Sequence, residues 1–180
     1  LMVEALMNSL TELKEIKKIK ILVENIPFTK LPNSNKKLPE YLDKTYGINK
    51  IYNLNSLKET SKTTIYYLSK INDYYYYVPV TKVSNEKLER VEIIIKELKS
   101  TPIYHTNLIS YLKASANMTN YELLENAISL SFNNYLIANM KEEQILEEVK
   151  YSIALSLRDT YGINEFIFNI PDSENSKISI

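Results

Sequence analysis

Thr64–Ser69 (TIYYLS) and Tyr74–Val83 (YYYYVPVTKV), separated by Lys70-Ile71-Asn72-Asp73, decide how this chain is read. Both runs are dense in β-branched and aromatic residues, which favour strands, and the Asn-Asp pair between them suits a hairpin turn. Pro79 cannot donate to a ladder, so it predicts either an edge strand or a bulge in the second run. In an extended strand Tyr74 and Tyr76 share a face with Val78, while Tyr75 and Tyr77 share the other. One pair is expected to pack on the core. The opposite pair, with Tyr66 or Tyr67 on the partner strand, is expected to form a tyrosine-rich outer patch suited to a protein interface.

Outward from this hairpin, Ser84 is a candidate helix cap followed by acids, with Leu88, Val91, Ile95 and Leu98 as the apolar stripe and Thr101-Pro102 as the stop. Asn107–Leu112 reads as a short helical turn. A second hairpin has arms Ala114–Leu123 and Ala127–Phe132, turned at Glu125-Asn126. In its second arm Ile128, Leu130 and Phe132 face one way and Ser129 and Ser131 the other, as in a half-buried strand. A long helix is expected from about Lys141, with Leu146, Val149, Ile153 and Leu157 as its stripe and Gly162 just past its end. Phe166, Phe168 and Ile170 then alternate as a closing strand. The order β-β-α-β-β-α-β predicts an α/β (α+β) domain over residues 63–172: a two-layer sandwich with a mixed sheet and helices on one face.

Upstream of residue 63 the texture changes. Val3, Leu6, Leu10 and Leu13 recur at helical spacing, and Ile19, Ile21 and Val23 alternate as a strand. Residues 25–62 hold Pro27, Pro32 and Pro39 among Asn and Lys, and read as a linker that packs on a domain. Residues 173–180 read as a polar tail. Ser9-Leu10-Thr11-Glu12 through Ile21 aligns without a gap to Ser156-Leu157-Arg158-Asp159 through Phe168, which points to an internal repeat. Residues 1–24 are then the last helix and strand of a truncated first copy, and the opening inside a helical pattern places the natural start upstream.

Composition excludes several classes. The chain has 180 residues, 44% hydrophobic and 24% charged, enough to bury a core. Lys plus Arg and Asp plus Glu number 22 each, against the basic excess of a dedicated nucleic-acid binder. With no Cys, thiolate catalysis, disulfides and cysteine metal sites are excluded. No run reaches the length of a membrane span, and the first ten residues lack a signal-peptide pattern. His105 is the only histidine; a base or metal ligand needs partners around it, and none can be read nearby, so a loop or capping role is expected. Glu142-Glu143 and Glu147-Glu148 read as favourable charge early in a helix. Two isolated glycines cannot make a phosphate loop. No catalytic, cofactor-binding or metal site is therefore assigned. The candidate contact residues are Tyr67, Tyr75 and Tyr77 on the tyrosine hairpin and Glu89, Glu92 and Lys96 on the exposed face of the first full helix.

These features in this order resemble the GerMN domain family of sporulation and germination proteins. The resemblance rests on TIYYLS and YYYYVPVTKV, the helix ending Leu98-Lys99-Ser100-Thr101-Pro102, Asn107-Leu108-Ile109-Ser110-Tyr111-Leu112, and Glu125-Asn126-Ala127-Ile128-Ser129-Leu130-Ser131-Phe132. Ser9-Leu10-Thr11-Glu12-Leu13 resembles the family's C-terminal signature, so tandem copies are implied. Glu125-Asn126 stands for the family's Asp-Gly and Thr101-Pro102 for its Gly-Pro; Asn tolerates the left-handed conformation, which keeps the hairpin. The resemblance implies a fold similar to ring-building motifs and a non-enzymatic assembly role. It further implies an extracytoplasmic protein, membrane-anchored upstream of this chain, in the space between mother cell and forespore. There its partners would be channel-complex proteins or further copies of itself. The alternatives are an extracytoplasmic enzyme or glycan-binding module acting on cell-wall material, or a generic lipoprotein domain.

Overall fold

A computed structural model describes residues 2–32, 36–100, 107–137 and 144–180. The expectations for Asn33-Ser34-Asn35, Thr101-Pro102, His105 and Glu142-Glu143 lie outside the described residues. The chain divides into two compact units, Leu1–Lys50 and Ile51–Ile180. Residues 25–62 are accordingly not a separate linker: 25–50 complete the first unit, and the rest supplies strand to the second.

In the first unit helix α1 (Met2–Leu10) buries Val3 and Met7, one turn apart, against Leu38 and Leu42. The expected stripe is corrected: Leu6 and Leu13 are exposed. Thr11 marks the helix end, its hydroxyl donating to the Met7 carbonyl at 2.8 Å alongside its own N–H. The strand expected over Ile19–Val23 is also corrected. Ile19 only bridges Leu42, and β1 (Leu22–Val23) folds straight back onto β2 (Ile26–Pro27). Glu24 and Asn25 both have positive φ (52° and 64°), the requirement of a tight hairpin turn, so the run reverses before it can extend. The two aligned repeat segments thus differ in structure, since α1 stops at Leu10 where its counterpart continues to Tyr161. Glu4 ties down the end of this unit: its carboxylate accepts from the Asn49 N–H at 3.3 Å and from Lys50 at 2.8 Å. The Lys50 ammonium also lies 3.5 Å from the Tyr46 ring centroid.

The second unit begins with β3 (Ile51–Asn53). The tyrosine hairpin is longer than its sequence signal: β4 (Ser61–Ile71) and β5 (Tyr74–Ser84) pair over eleven positions without a register shift. The turn is Asn72-Asp73, with Asn72 at φ 56°. Pro79 makes no bulge. It lies beyond the three residues of β5 that pair with β3. The Tyr66 N–H, opposite Pro79, turns away from β5 and donates to Ser156 Oγ at 2.9 Å. Tyr66 and Pro79 are therefore a non-hydrogen-bonded pair, and the ladder needs no donor from the proline.

Helix α2 (Arg90–Leu98) starts later than expected. Ser84 ends β5, and the cap is Glu89, whose N–H donates to the Glu92 carboxylate at 3.0 Å. Leu88 is consequently exposed, while Val91, Ile94, Ile95 and Leu98 are buried. The expected helical turn at Asn107–Leu112 is instead β6 (Leu108–Ile109), an edge strand on β4. The second hairpin is β7 (Met118–Leu123) and β8 (Ala127–Phe132), with the Leu124 N–H donating to the Ala127 carbonyl across Glu125-Asn126.

Helix α3 (Glu147–Tyr161) crosses to β9 (Glu165–Asn169), parallel to β8. The polar tail is a further correction: Ser176–Ser179 form β10, antiparallel to β9, and Ile178 and Ile180 pack on the core. The strands fall into two four-stranded sheets, β3-β5-β4-β6 and β10-β9-β8-β7, where one mixed sheet was expected. Each contains a parallel and an antiparallel pairing, so the mixed α+β class holds. Both sheets and both helices share one core, centred on Ile65, Ile94, Leu98, Ile128, Leu130, Phe132, Ile153, Phe166 and Phe168.

Gly162 closes α3 as expected, at φ 70° with its N–H on the Arg158 carbonyl at 2.7 Å. A Cβ there would meet nothing within 4 Å, so the cost of a side chain is conformational. Gly162→Ala is expected to destabilise the second unit by about 1–2 kcal/mol, measured by urea unfolding, and Gly162→Asn by less.

Candidate interaction surface

Cross-strand partners share a face, so the β4–β5 register assigns every tyrosine of the hairpin. Tyr67 lies opposite Val78, beside the Ile65–Val80 pair, and is buried in the core with its hydroxyl 3.5 Å from the Glu97 carbonyl. Burial pushes its phenol well above the ordinary tyrosine value. Tyr67 is therefore not part of an outer patch. Nearer the turn the same face leaves the core. Ile71, opposite Tyr74, and Tyr76, opposite Ser69, stand 56%, 69% and 49% exposed in the order Ile71, Tyr74, Tyr76.

Tyr75 and Tyr77 lie on the other face. Tyr77 is half-buried, its ring 6.0 Å from that of Tyr151 on α3. Burial, reinforced by the Glu148 carboxylate, pushes its phenol up to about 12. Tyr75 meets Tyr111 at a hydroxyl–hydroxyl distance of 2.9 Å, and the Lys70 ammonium sits 5.7 Å from its ring centroid. On this face Tyr66 is buried and donates to the Asp159 carboxylate at 2.7 Å. Within the hairpin the exposed aromatic surface is thus the tip, with Tyr74 and Tyr76 more open than the expected pair.

The expected helix contacts do separate work. Glu89 and Glu92 are exposed but close the N-terminus of α2 on each other. Lys96 is exposed and donates to Glu86 at 2.7 Å. Glu86 in turn shares Lys82 with Glu97, each carboxylate 2.6 Å from the Lys82 ammonium. Burial alone would lower Lys82, but the two carboxylates outweigh it and hold the ammonium above its usual range. Hydrogen bonds from Lys82 and Lys96 hold the Glu86 carboxyl below its own. Sequence reading missed this network because its members come from β5, the loop after it and α2; the Lys82–Glu86 spacing of four was the available signal.

A cleft of about 400 Å³ opens between the start of α3 and the turn into β10, lined by Gln144, Glu147, Lys150, Ile170, Glu174 and Ser176 among others. Its charged groups are carboxylates and one ammonium. Among the described residues no group of three or more His, Asp or Glu is placed to hold a metal ion. Glu147 and Glu148 occupy the first turn of α3, where the helix dipole favours them.

No protein-family model matches the chain. It is similar to the spore germination protein GerM of Bacillus subtilis strain 168, at 28% identity over 156 residues, covering 84% of this chain and 43% of GerM. A solved structure of the tandem GerMN domains of the sporulation protein GerM from Bacillus subtilis superposes with a TM-score of 0.85 at 23% identity. That match covers 96% of this chain and 61% of the other. The chain has the fold of about three-fifths of that tandem GerMN structure. The GerMN resemblance carried by the two hairpins and the segments between them therefore holds, although this chain spans less than half the length of its curated relative. Within the GerMN fold, Glu125–Phe132 supplies the second hairpin turn and β8, and Asn107–Leu112 the edge strand β6. No helix of the described residues is long and apolar enough to cross a membrane.

Proposed function

We propose that this chain is part of a sporulation- and germination-related protein that works as a non-enzymatic, extracytoplasmic scaffold. The observation that carries the reading is the likeness to GerM, which extends over both compact units. In this reading residues 1–24, with the segment to Lys50, are the end of a first GerMN domain, and the second unit is a complete one. An anchor upstream of this chain holds the protein at the membrane, facing the space between mother cell and forespore. There it supports assembly of the channel complex that joins the two cells, through protein partners or side-by-side docking of its own domains. The exposed hairpin tip supports a contact role, because Tyr offers rigid amphipathic area at low entropic cost.

Deleting the gene in its sporulating host is expected to cause a large loss of heat-resistant spores, restored by the intact gene. A normal spore count in a strain without a redundant copy would contradict the reading. The second reading is a cell-wall glycan-binding module, favoured by the open rings of Tyr74 and Tyr76 on one face. Binding of the purified chain to insoluble peptidoglycan, lost on replacing both tyrosines, would favour it.

A further inference from the structure

Tyr75 on β5 and Tyr111, just past β6, are 36 residues apart in sequence, yet their hydroxyls are 2.9 Å apart. Their rings meet edge to face, with centroids 6.1 Å apart and planes at 78°. Both reach solvent, 40% and 38% exposed. We propose that Tyr75 and Tyr111 form an oxidative cross-linking site, where an intramolecular dityrosine staples the hairpin to the segment after β6. Each ortho carbon is one bond from the hydroxyl-bearing carbon, so a contact between hydroxyls brings the ortho edges of both rings to the same gap.

Composition directs one-electron oxidation to tyrosine, and proximity then selects the pair. The chain has no Trp and no Cys to trap the electron hole, and 15 Tyr. Its four Met are oxidised by oxygen transfer to sulfoxide, a different product. The Tyr77–Tyr151 pair has a similar centroid distance, 6.0 Å, but both rings are partly buried and less open to an external oxidant. The oxidant is a haem peroxidase turning over hydrogen peroxide. Each phenol gives up one electron to it and its hydroxyl proton to solvent. The two phenoxyl radicals join through a new bond between ortho carbons. The hydrogens on those carbons then move to the phenolic oxygens, which restores both rings. In the net reaction the protein loses two hydrogen atoms and one peroxide becomes two waters.

The test treats the purified chain, at low concentration, with a haem peroxidase and hydrogen peroxide. The expected result is blue dityrosine fluorescence on a chain that still migrates as a monomer, with a mass lower by two hydrogens. Protease digestion should yield one linked peptide pair containing Tyr75 and Tyr111. Tyr75→Phe and Tyr111→Phe should each abolish that product, while Tyr74→Phe should leave it intact. The proposal is overturned if no dityrosine forms, if the bond maps to Tyr77 and Tyr151, if it forms only between chains, or if it persists in both phenylalanine variants.

Discussion

Phe168→Ala is expected to lower the stability of the second unit by about 3–5 kcal/mol, the range for deleting a fully buried phenylalanine ring. Phe168 is 0% exposed on β9, where it pairs in parallel with Leu130 and antiparallel with Ser176. Its core includes residues of both four-stranded sheets and of α2 and α3. Interiors packed at crystal-like density cannot collapse fully around a missing ring, so the lost transfer energy is compounded by a cavity. Urea unfolding followed by far-ultraviolet circular dichroism measures the change. Phe168→Leu, which keeps most of the volume, should cost much less. A loss below about 1 kcal/mol for Phe168→Ala would contradict a single core shared by the two sheets.

Lys82→Met is the second large effect. The substitution keeps the aliphatic stem and removes the cation, leaving Glu97 without the ammonium it holds at 2.6 Å and Glu86 with Lys96 alone. Breaking a buried pair from one side is expected to cost about 3 kcal/mol here, the low end of its range, because both carboxylates are partly open and can turn to water. The pH dependence follows from the two shifts. Glu86 is held below the ordinary carboxylate value, so its contribution is complete above that value and fades as acid carries the pH down through the folded one. Lys82 is held above the ordinary lysine value, so its contribution is complete below that value and is lost only as strong base carries the pH up through the folded one. The stability gap between the native chain and Lys82→Met should therefore be widest near neutral pH and narrow in acid. A gap independent of pH through the carboxylate range would remove the ion network from the explanation.

The parts of the fold legible in the sequence are those whose signals are local. The alternation in Ala127–Phe132, the stripe Val149-Ile153-Leu157 ending at Gly162, and the alternation of Phe166 with Phe168 each name a buried face through the chain's own periodicity. The errors fall where a distant partner decides. Leu108-Ile109 is a strand because β4 offers an open edge, and Ser176–Ser179 because β9 does; neither segment is long enough to declare itself. Ser84 has the chemistry of a cap but is held in β5 by pairing with Ser61, which passes the role to Glu89. In the first unit a turn with two positive φ angles overrode the alternation of Ile19, Ile21 and Val23. At the candidate surface the sequence identified the tyrosine strand and its two faces. Which tyrosines leave the core depends on the hairpin outrunning its cover at Ile71, Tyr74 and Tyr76, and β4 runs on past Ser69, where the strand signal in the sequence ends. The Lys82 network was illegible for the same reason, since it joins elements that only the fold brings together.

A scaffold role places the function at the exposed hairpin tip and not in the cleft beside α3. The most direct measurement is the yield of heat-resistant spores from a deletion strain carrying defined variants of the gene. A variant with Ile71→Ser, Tyr74→Ser and Tyr76→Ser combined, each an exposed position, should remain folded, its melting temperature lowered only slightly by the lost cross-strand pair. A second variant, Glu147→Gln with Lys150→Gln, alters the cleft beside α3. The hairpin variant is expected to restore no spores beyond the deletion level, while the cleft variant restores them fully. Full rescue by the folded hairpin variant, with loss of rescue by the cleft variant, would contradict that placement.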